Sequence, residues 1–354
     1  MSLKQIDDFK SIVLENRPLL DVRSPVEFKA GAFLNTTNLP LLSDEERRLI
    51  GIRYKEAGNA KAVELGEELV SPFKDERVVG WLEYVKENPD AYLYCFRGGQ
   101  RSKISQEWIL ESGVDIPRLK GGYKAFRSYL MSESEEVSKK LDTIIIGGRT
   151  GSGKTLILKE FDNIIDLEGL ANHRGSAFGK QLNSQPTQIE FENTLSYKLI
   201  QHDSKKPLII EHESKNVGRL YIPPNIYANM MRGKLILLQT PIDTRVDITY
   251  DEYVLKAVKE YENLYKDEGR AKWFEDANNS LDKIQKRLGS KRYLWIKKVF
   301  KDSYESSDLE ANKLWIRELL EGYYDKMYDY QIEKSSTPVA FCGDMDEVRE
   351  YLSS

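Results

Sequence analysis

The chain has 354 residues, 40% hydrophobic and 31% charged, with a formal charge of −4 at pH 7. That balance describes a globular protein of two ordinary domains, neither disordered nor wrapped in a global positive field that would draw in nucleic acid. No apolar run approaches the ~20 residues of a membrane helix, the N-terminus lacks the apolar core of a signal peptide, and two cysteines, Cys95 and Cys342, are too few for a disulfide framework or a Cys-based zinc site, so a cytoplasmic protein is expected.

Along the chain, Leu19-Leu20-Asp21-Val22-Arg23 reads as a buried strand, and Ser24-Pro25-Val26-Glu27-Phe28 as a capped helix start with proline at its first position. Thr36-Thr37-Asn38-Leu39 is a short strand stopped by Pro40, and residues 44–69 carry apolar positions at helical spacing, in one or two helices. Ala91-Tyr92-Leu93-Tyr94 is a strand ending at Cys95, followed by a helix over residues 102–110. The polar, Ser-rich stretch 132–140 reads as a connector. Beyond it strand candidates at 143–146, 163–167, 207–210, 234–238 and 338–341 alternate with helix-length segments, the pattern of a parallel sheet covered on both faces. Residues 251–334, charged and aromatic, read as a mainly helical insertion before the last strand. The expected division is an N-terminal α/β domain over 1–132 and a parallel-sheet domain over 140–354.

Two loops carry chemistry. The first is Cys95-Phe96-Arg97-Gly98-Gly99-Gln100-Arg101-Ser102. Arg97, Arg101 and the N-terminus of the following helix favour a thiolate at Cys95, and Gly98 and Gly99 let successive N–H groups converge on one point. An accessible, reactive thiol beside an anion pocket is expected. C-x-x-G-x-x-R-S also fits a tyrosine-phosphatase loop, so the loop alone leaves phosphatase and sulfurtransferase open. Cys342, in an apolar run, reads as a small buried residue.

The second loop is Gly148-Arg149-Thr150-Gly151-Ser152-Gly153-Lys154-Thr155, a complete G-x-x-x-x-G-K-[ST] phosphate loop between a strand and a helix. Amides of Gly151, Ser152, Gly153, Lys154 and Thr155 would surround phosphate oxygens, Lys154 adds a point charge, and the Thr155 hydroxyl suits Mg²⁺. Leu208-Ile209-Ile210-Glu211-His212-Glu213 is an apolar strand ending in carboxylates that could serve the metal side. His173 and Arg174, in a glycine-rich loop after the second strand of this domain, are candidates for ligand contact. Between Lys283 and Lys301 stand eight basic residues and no acidic one, with Tyr293, Trp295 and Phe300 interleaved. This reads either as a solvated helix face or as an RNA-backbone contact.

Asp21-Val22-Arg23-Ser24-Pro25-Val26-Glu27-Phe28, then Gly31 and Asn38-Leu39-Pro40, resembles the opening of rhodanese domains, with Ala32 where those commonly have histidine. Together with the segments 40–47, 95–102, 121–125, 148–155, 166–179 and 323–328, the chain resembles the tRNA 2-selenouridine synthase family over nearly its whole length. That resemblance implies a rhodanese-like domain joined to a phosphate-loop domain. It implies an enzyme that replaces sulfur by selenium in wobble 2-thiouridine of tRNA, at the anticodon stem-loop, with selenophosphate as donor, and that also geranylates that sulfur with geranyl diphosphate. Cys95 would carry selenium, as a Cys–Se⁻ or perselenide, held by Arg97, Arg101 and the Gly98 and Gly99 amides. The phosphate loop would hold the geranyl diphosphate, a nucleotide or a tRNA phosphate. The competing readings are a rhodanese-fold Cys phosphatase or sulfurtransferase, and a P-loop ATPase or kinase; each accounts for only one of the two loops.

Overall fold

In the computed structural model, which describes residues 3–334 and 337–353, the chain forms two compact units. The first comprises Met1–Val137 with Thr187–Gln201, and the second Ser138–Pro186 with His202–Ser354.

The first unit is built on five parallel strands, β1 (Gln5–Ile6), β2 (Leu19–Asp21), β3 (Thr36–Asn38), β4 (Tyr92–Tyr94) and β5 (Arg118–Leu119), in the order β1-β5-β4-β2-β3. All three residues of β2 are buried, and β4 is central, because apolar layers cover both faces of the sheet. One layer holds Leu20, Val22, Trp81 and Ile109, the other Ile12, Phe33, Phe126 and Tyr197. Ser24 caps the helix Pro25–Ala30 in a capping box with Glu27, and Ser43 with Glu46 does the same for Asp44–Val70. That second helix breaks at Gly58, whose φ of 79° lies outside the helical region, so the periodic run becomes two segments.

Two features depart from the linear reading. The Ser-rich stretch at 132–140 is not a loose connector: the helix Gly122–Ser138 runs through most of it, with Ser134 and Ser138 buried. The helix Gln188–Gln201 also returns to the first unit. Tyr197 and Ile200 pack beside Ile12, Val13 and Phe126, Arg127 pairs with Glu192 and Asn193, and the Asn193 amide donates to the Ala32 carbonyl at 2.7 Å. The polar Glu192 and Asn193 are therefore a latch on this unit.

The second unit has a five-stranded parallel sheet ordered β12-β11-β6-β8-β7 from β6 (Thr143–Gly148), β7 (Ile164–Ile165), β8 (Leu208–Glu211), β11 (Lys234–Leu238) and β12 (Val339–Gly343). A small antiparallel pair, β9 (Asn216–Val217) and β10 (Leu220–Tyr221), stands apart from it. Between β11 and β12 come the helices Ile242–Tyr250, Lys256–Tyr265, Gly269–Leu288, Ser290–Glu305, Asn312–Leu319 and Asp325–Lys334, with a core of Val254, Trp273, Ile284, Phe300, Trp315 and Leu320. Two π-helical turns, Asp251–Leu255 and Leu320–Tyr324, interrupt this array. Among the described residues no helix is long and apolar enough to cross a membrane.

Candidate functional site

The phosphate loop leaves β6 at Gly148 and ends where Gly153 caps the helix Lys154–Leu158. Gly151 and Gly153 have φ of 77° and 88°. A Cβ at Gly151 would lie 2.4 Å from Thr249 Oγ1 and 2.8 Å from the Arg245 carbonyl, so the loop requires glycine there both for its backbone and for its neighbours. Three loop carbonyls are bonded away: Gly148 O accepts from Lys154 Nζ at 2.9 Å, Thr150 O from Arg245 Nε at 2.9 Å, and Ser152 O from Thr240 Oγ1 at 2.8 Å. The Ser152 N–H is spent within the loop, donating to the Arg149 carbonyl at 3.0 Å, so an anion would be met by the other amides of the loop and of the helix start. Arg149 turns away and pairs with Asp329 at 2.8 Å.

In the parallel register Ile146 of β6 faces Glu211 of β8, which places the Glu211 carboxylate at the foot of the loop. Thr155 Oγ1 donates to Glu211 Oε1 at 2.8 Å. Glu211 is fully buried, and its Oε2 has no partner. Asp166 and Glu168, on the turn after β7, and Glu213 beyond β8 complete an acidic wall opposite Lys154. Burial, then repulsion from Glu211 and Glu213, pushes the Glu168 carboxyl well up. Burial, then Glu213 and Asp166, raises Glu211, and burial raises Glu213; Lys154 partly opposes all three shifts.

Asp166, Glu168 and Glu213 line a cleft of about 480 Å³ together with Gly148 and the loop residues from Thr150 to Thr155, whereas Glu211 is fully buried and does not line it. Its far side is Arg174, Glu252, Tyr253, Tyr324, Met327 and Tyr328. Arg174 donates to the Glu252 carbonyl at 3.0 Å and its guanidinium lies 5.3 Å from the centre of the Tyr253 ring. Of the two loop residues singled out by sequence, Arg174 lines the cleft. His173 does not: it bridges backbone to Lys180, its Nδ1 is buried without a partner, and burial lowers its pKa. The two π-helical turns bring Glu252, Tyr253 and Tyr324 into the cleft, which is why periodicity did not mark them.

In the first unit, Cys95 follows the central strand β4 and opens the turn into the helix Gln100–Glu111. The turn is clamped by the start of the helix Gly122–Ser138. Tyr123 and Lys124 amides donate to the Cys95 and Phe96 carbonyls at 2.9 and 3.0 Å, and Arg118 Nη1 donates to the Gly98 carbonyl at 2.5 Å. A Cβ at Gly122 would fall 2.2 Å from the Cys95 carbonyl, so this approach needs glycine. The Cys95 thiol donates to Ser102 Oγ at 3.2 Å, and that hydroxyl donates on to the Gly99 carbonyl.

Three expectations about this loop are corrected. Cys95 is buried, 3% exposed, because it belongs to the apolar layer with Leu20, Leu93 and Ile109; the open thiol is found instead at Cys342. Arg101 is held by a carboxylate instead of standing free as a cation for the sulfur: its guanidinium grips Glu27 at 2.5 and 3.1 Å. Arg97 is exposed, beside the Phe96 ring. Glu27 and Arg23, conspicuous in the opening motif, are thus framework residues. Buried Arg23 binds Asp21 and the Gly31 carbonyl, and Asp21 accepts from the Tyr94 hydroxyl at 2.9 Å, fixing the strand end that precedes Cys95.

Burial alone would raise the Glu27 carboxyl, but Arg101 and then Arg47 outweigh it and hold the group down at about 2. A depressed carboxylate stabilises the fold above its unfolded value and loses that contribution as pH falls through the folded one. Glu27→Gln is therefore expected to lower the thermal midpoint at pH 7, with the gap to wild type closing between about pH 4.5 and 2, as followed by circular dichroism. A gap that persists unchanged at pH 2 would contradict this account.

The family model described as the tRNA 2-selenouridine synthase AAA domain matches residues 141–354. The tRNA 2-selenouridine synthase of Sulfurovum sp. (strain NBC37-1) is 50% identical, the match covering 99% of this chain and 98% of that protein. The like-named proteins of Hydrogenovibrio crunogenus, at 45% identity over 99% and 98% of the two chains, and of Pseudomonas putida, at 40% over 98% and 98%, are similar along the same length. With both loops, both sheets and the helical array inside that shared length, the chain belongs to the tRNA 2-selenouridine synthase family.

Proposed function

We propose that the chain replaces the 2-thio sulfur of the tRNA wobble uridine by selenium, taken from selenophosphate, after S-geranylation by geranyl diphosphate. One observation carries this reading: a single chain holds a glycine-rich turn with Cys95 at the end of a central strand and a phosphate loop whose cleft has an apolar wall. The first unit is read as rhodanese-like, supported by its all-parallel five-stranded sheet with Cys95 at the end of the central strand.

In the first half-reaction the thiocarbonyl sulfur attacks C1 of the geranyl group. The C1–O bond breaks, diphosphate leaves with the electron pair onto the Gly151, Gly153, Lys154 and Thr155 amides and the Lys154 ammonium, and the base gives up its N3 proton. Leu156, Ile248 and Met327 with the Tyr253 and Tyr324 rings offer the cleft's apolar side to the isoprenoid. The adjoining crevice beneath Phe178, Trp315 and Leu319 holds only about 20 Å³, so ten carbons lie along the cleft. The Thr155 hydroxyl and the unpartnered Glu211 oxygen fit Mg²⁺, which would neutralise diphosphate charge. Among the described residues no group of three or more His, Cys, Asp and Glu is placed to hold a metal, so the ion would take its other ligands from phosphate and water. In the second half-reaction selenophosphate held at the Cys95 loop attacks C2 through its selenium. The C2–S bond breaks and geranylthiol leaves with a proton, alkylation having made that sulfur the better leaving group, and water then cleaves the P–Se bond to release phosphate and the 2-selenouridine.

Purified protein incubated with 2-thiouridine tRNA should yield S-geranyl-2-thiouridine with geranyl diphosphate alone, and 2-selenouridine when both donors are present, read by nucleoside mass spectrometry. Mg²⁺-dependent ATP hydrolysis without base modification would support the ATPase reading instead.

A further inference from the structure

We infer that the outer face of the hairpin made by the helices Gly269–Leu288 and Ser290–Glu305 is an RNA-docking surface that grips the phosphates of the tRNA substrate. This rests on tRNA being the substrate, as proposed above. Leu281, Ile284, Leu288, Tyr293, Ile296 and Phe300 turn inward and are buried. The helical period then sends the interleaved cations outward. Three of the eight are neutralised within the protein: Arg292 by Glu318 at 2.5 Å, Lys297 by Asp282 at 2.7 Å and Lys301 by Glu305 at 3.4 Å. Lys283, Lys286, Arg287, Lys291 and Lys298 are exposed and have no acidic partner among the described residues. Gly289, at φ 78°, joins the two helices and brings the Lys286–Arg287 end of one against the Lys291 start of the other.

Five unneutralised cations repel one another, in a chain whose net charge is −4, and a polyanion relieves that repulsion. A second observation narrows the partner. Trp295 is 45% exposed on this face, with Lys291 and Lys298 about one turn to either side. An indole flanked by lysines can stack on an unpaired base while its neighbours hold the adjoining phosphates. A folded RNA with stem and loop offers both. An anionic bilayer would match the charge, but Trp295 and Leu294 are too little apolar area for an inserted face.

The test uses the full chain and a full-length 2-thiouridine tRNA in filter binding from about 50 to 200 mM salt. The triple variant Lys286→Ala, Arg287→Ala, Lys291→Ala should bind at least about tenfold more weakly and lose roughly 2–3 from the log–log salt slope. Trp295→Ala should weaken binding by about tenfold with the slope unchanged. Circular dichroism and thermal midpoints matching wild type exclude misfolding; alanine retains the helices. Geranylation of free 2-thiouridine nucleoside, which needs no grip on RNA, should be the same in the triple variant and wild type. Wild-type affinity and slope in the triple variant would overturn the surface, as would tighter binding of the wild type to phosphatidylglycerol vesicles than to tRNA. If the variants lose tRNA binding as stated but the wild type modifies neither nucleoside nor tRNA, the surface stands and the proposed chemistry falls.

Discussion

Cys95→Ala is expected to abolish selenation of tRNA while leaving S-geranylation intact, and Lys154→Ala to reduce geranylation by about 10²–10³-fold. The two losses differ because the residues serve different bonds. Cys95 stands at the loop assigned to selenium, with Ser102 as its hydrogen-bonding neighbour. Lys154, folded back on the Gly148 carbonyl at 2.9 Å, is the cation of the phosphate loop. Without it, a leaving diphosphate would face the Glu168, Glu211 and Glu213 wall unopposed. On the proposed route selenation draws on the geranylated base, so Lys154→Ala should lower both products, and supplying pre-geranylated tRNA should restore selenation alone. Nucleoside mass spectrometry reads all of these. Equal loss of both modifications in Cys95→Ala would sink the division of labour.

Arg245→Ala is expected to destabilise the second unit by about 3–5 kcal/mol, a fall in thermal midpoint of roughly 10 °C. Arg245 is 2% exposed, binds Asp325 at 2.5 and 3.0 Å, and donates to the Thr150 carbonyl in the phosphate loop. Removing it strands a largely buried carboxylate and frees that carbonyl. The double variant Arg245→Met, Asp325→Leu should recover most of the stability, since two apolar side chains can replace a buried pair, while geranylation stays reduced because Thr150 remains untied. If the double variant is as unstable as the single one, the cost is not that of an orphaned charge. If its geranylation matches wild type, the tie to Thr150 does not position the loop.

Local signals were legible wherever a short stretch of chain carries its own physics. The phosphate loop lies between its strand and helix because apolar residues, glycines and the Lys-Thr pair follow one another directly. The strand end at Tyr94, the capped helix start at Ser24, and the inward and outward faces of residues 283–301 follow from short-range signals of this kind. Partners distant in sequence were not legible. Nothing near Arg101 says that Glu27, 74 residues away, neutralises it. Nothing near Glu192 says that Arg127 recruits its helix to the first unit.

From consecutive residues alone came two glycine-rich loops at strand-to-helix turns, a mainly parallel α/β scaffold and a cation-rich helical segment, because each is written in neighbouring positions. Only the tertiary fold settled which cations lack acidic partners among the described residues, that Cys95 lies buried, and that Asp166, Glu168 and Glu213 line one cleft with Lys154 while Glu211 is buried. Charge pairing and burial depend on distances across the fold, and parallel register, π-helical turns and packing fix those distances only after the chain has closed on itself.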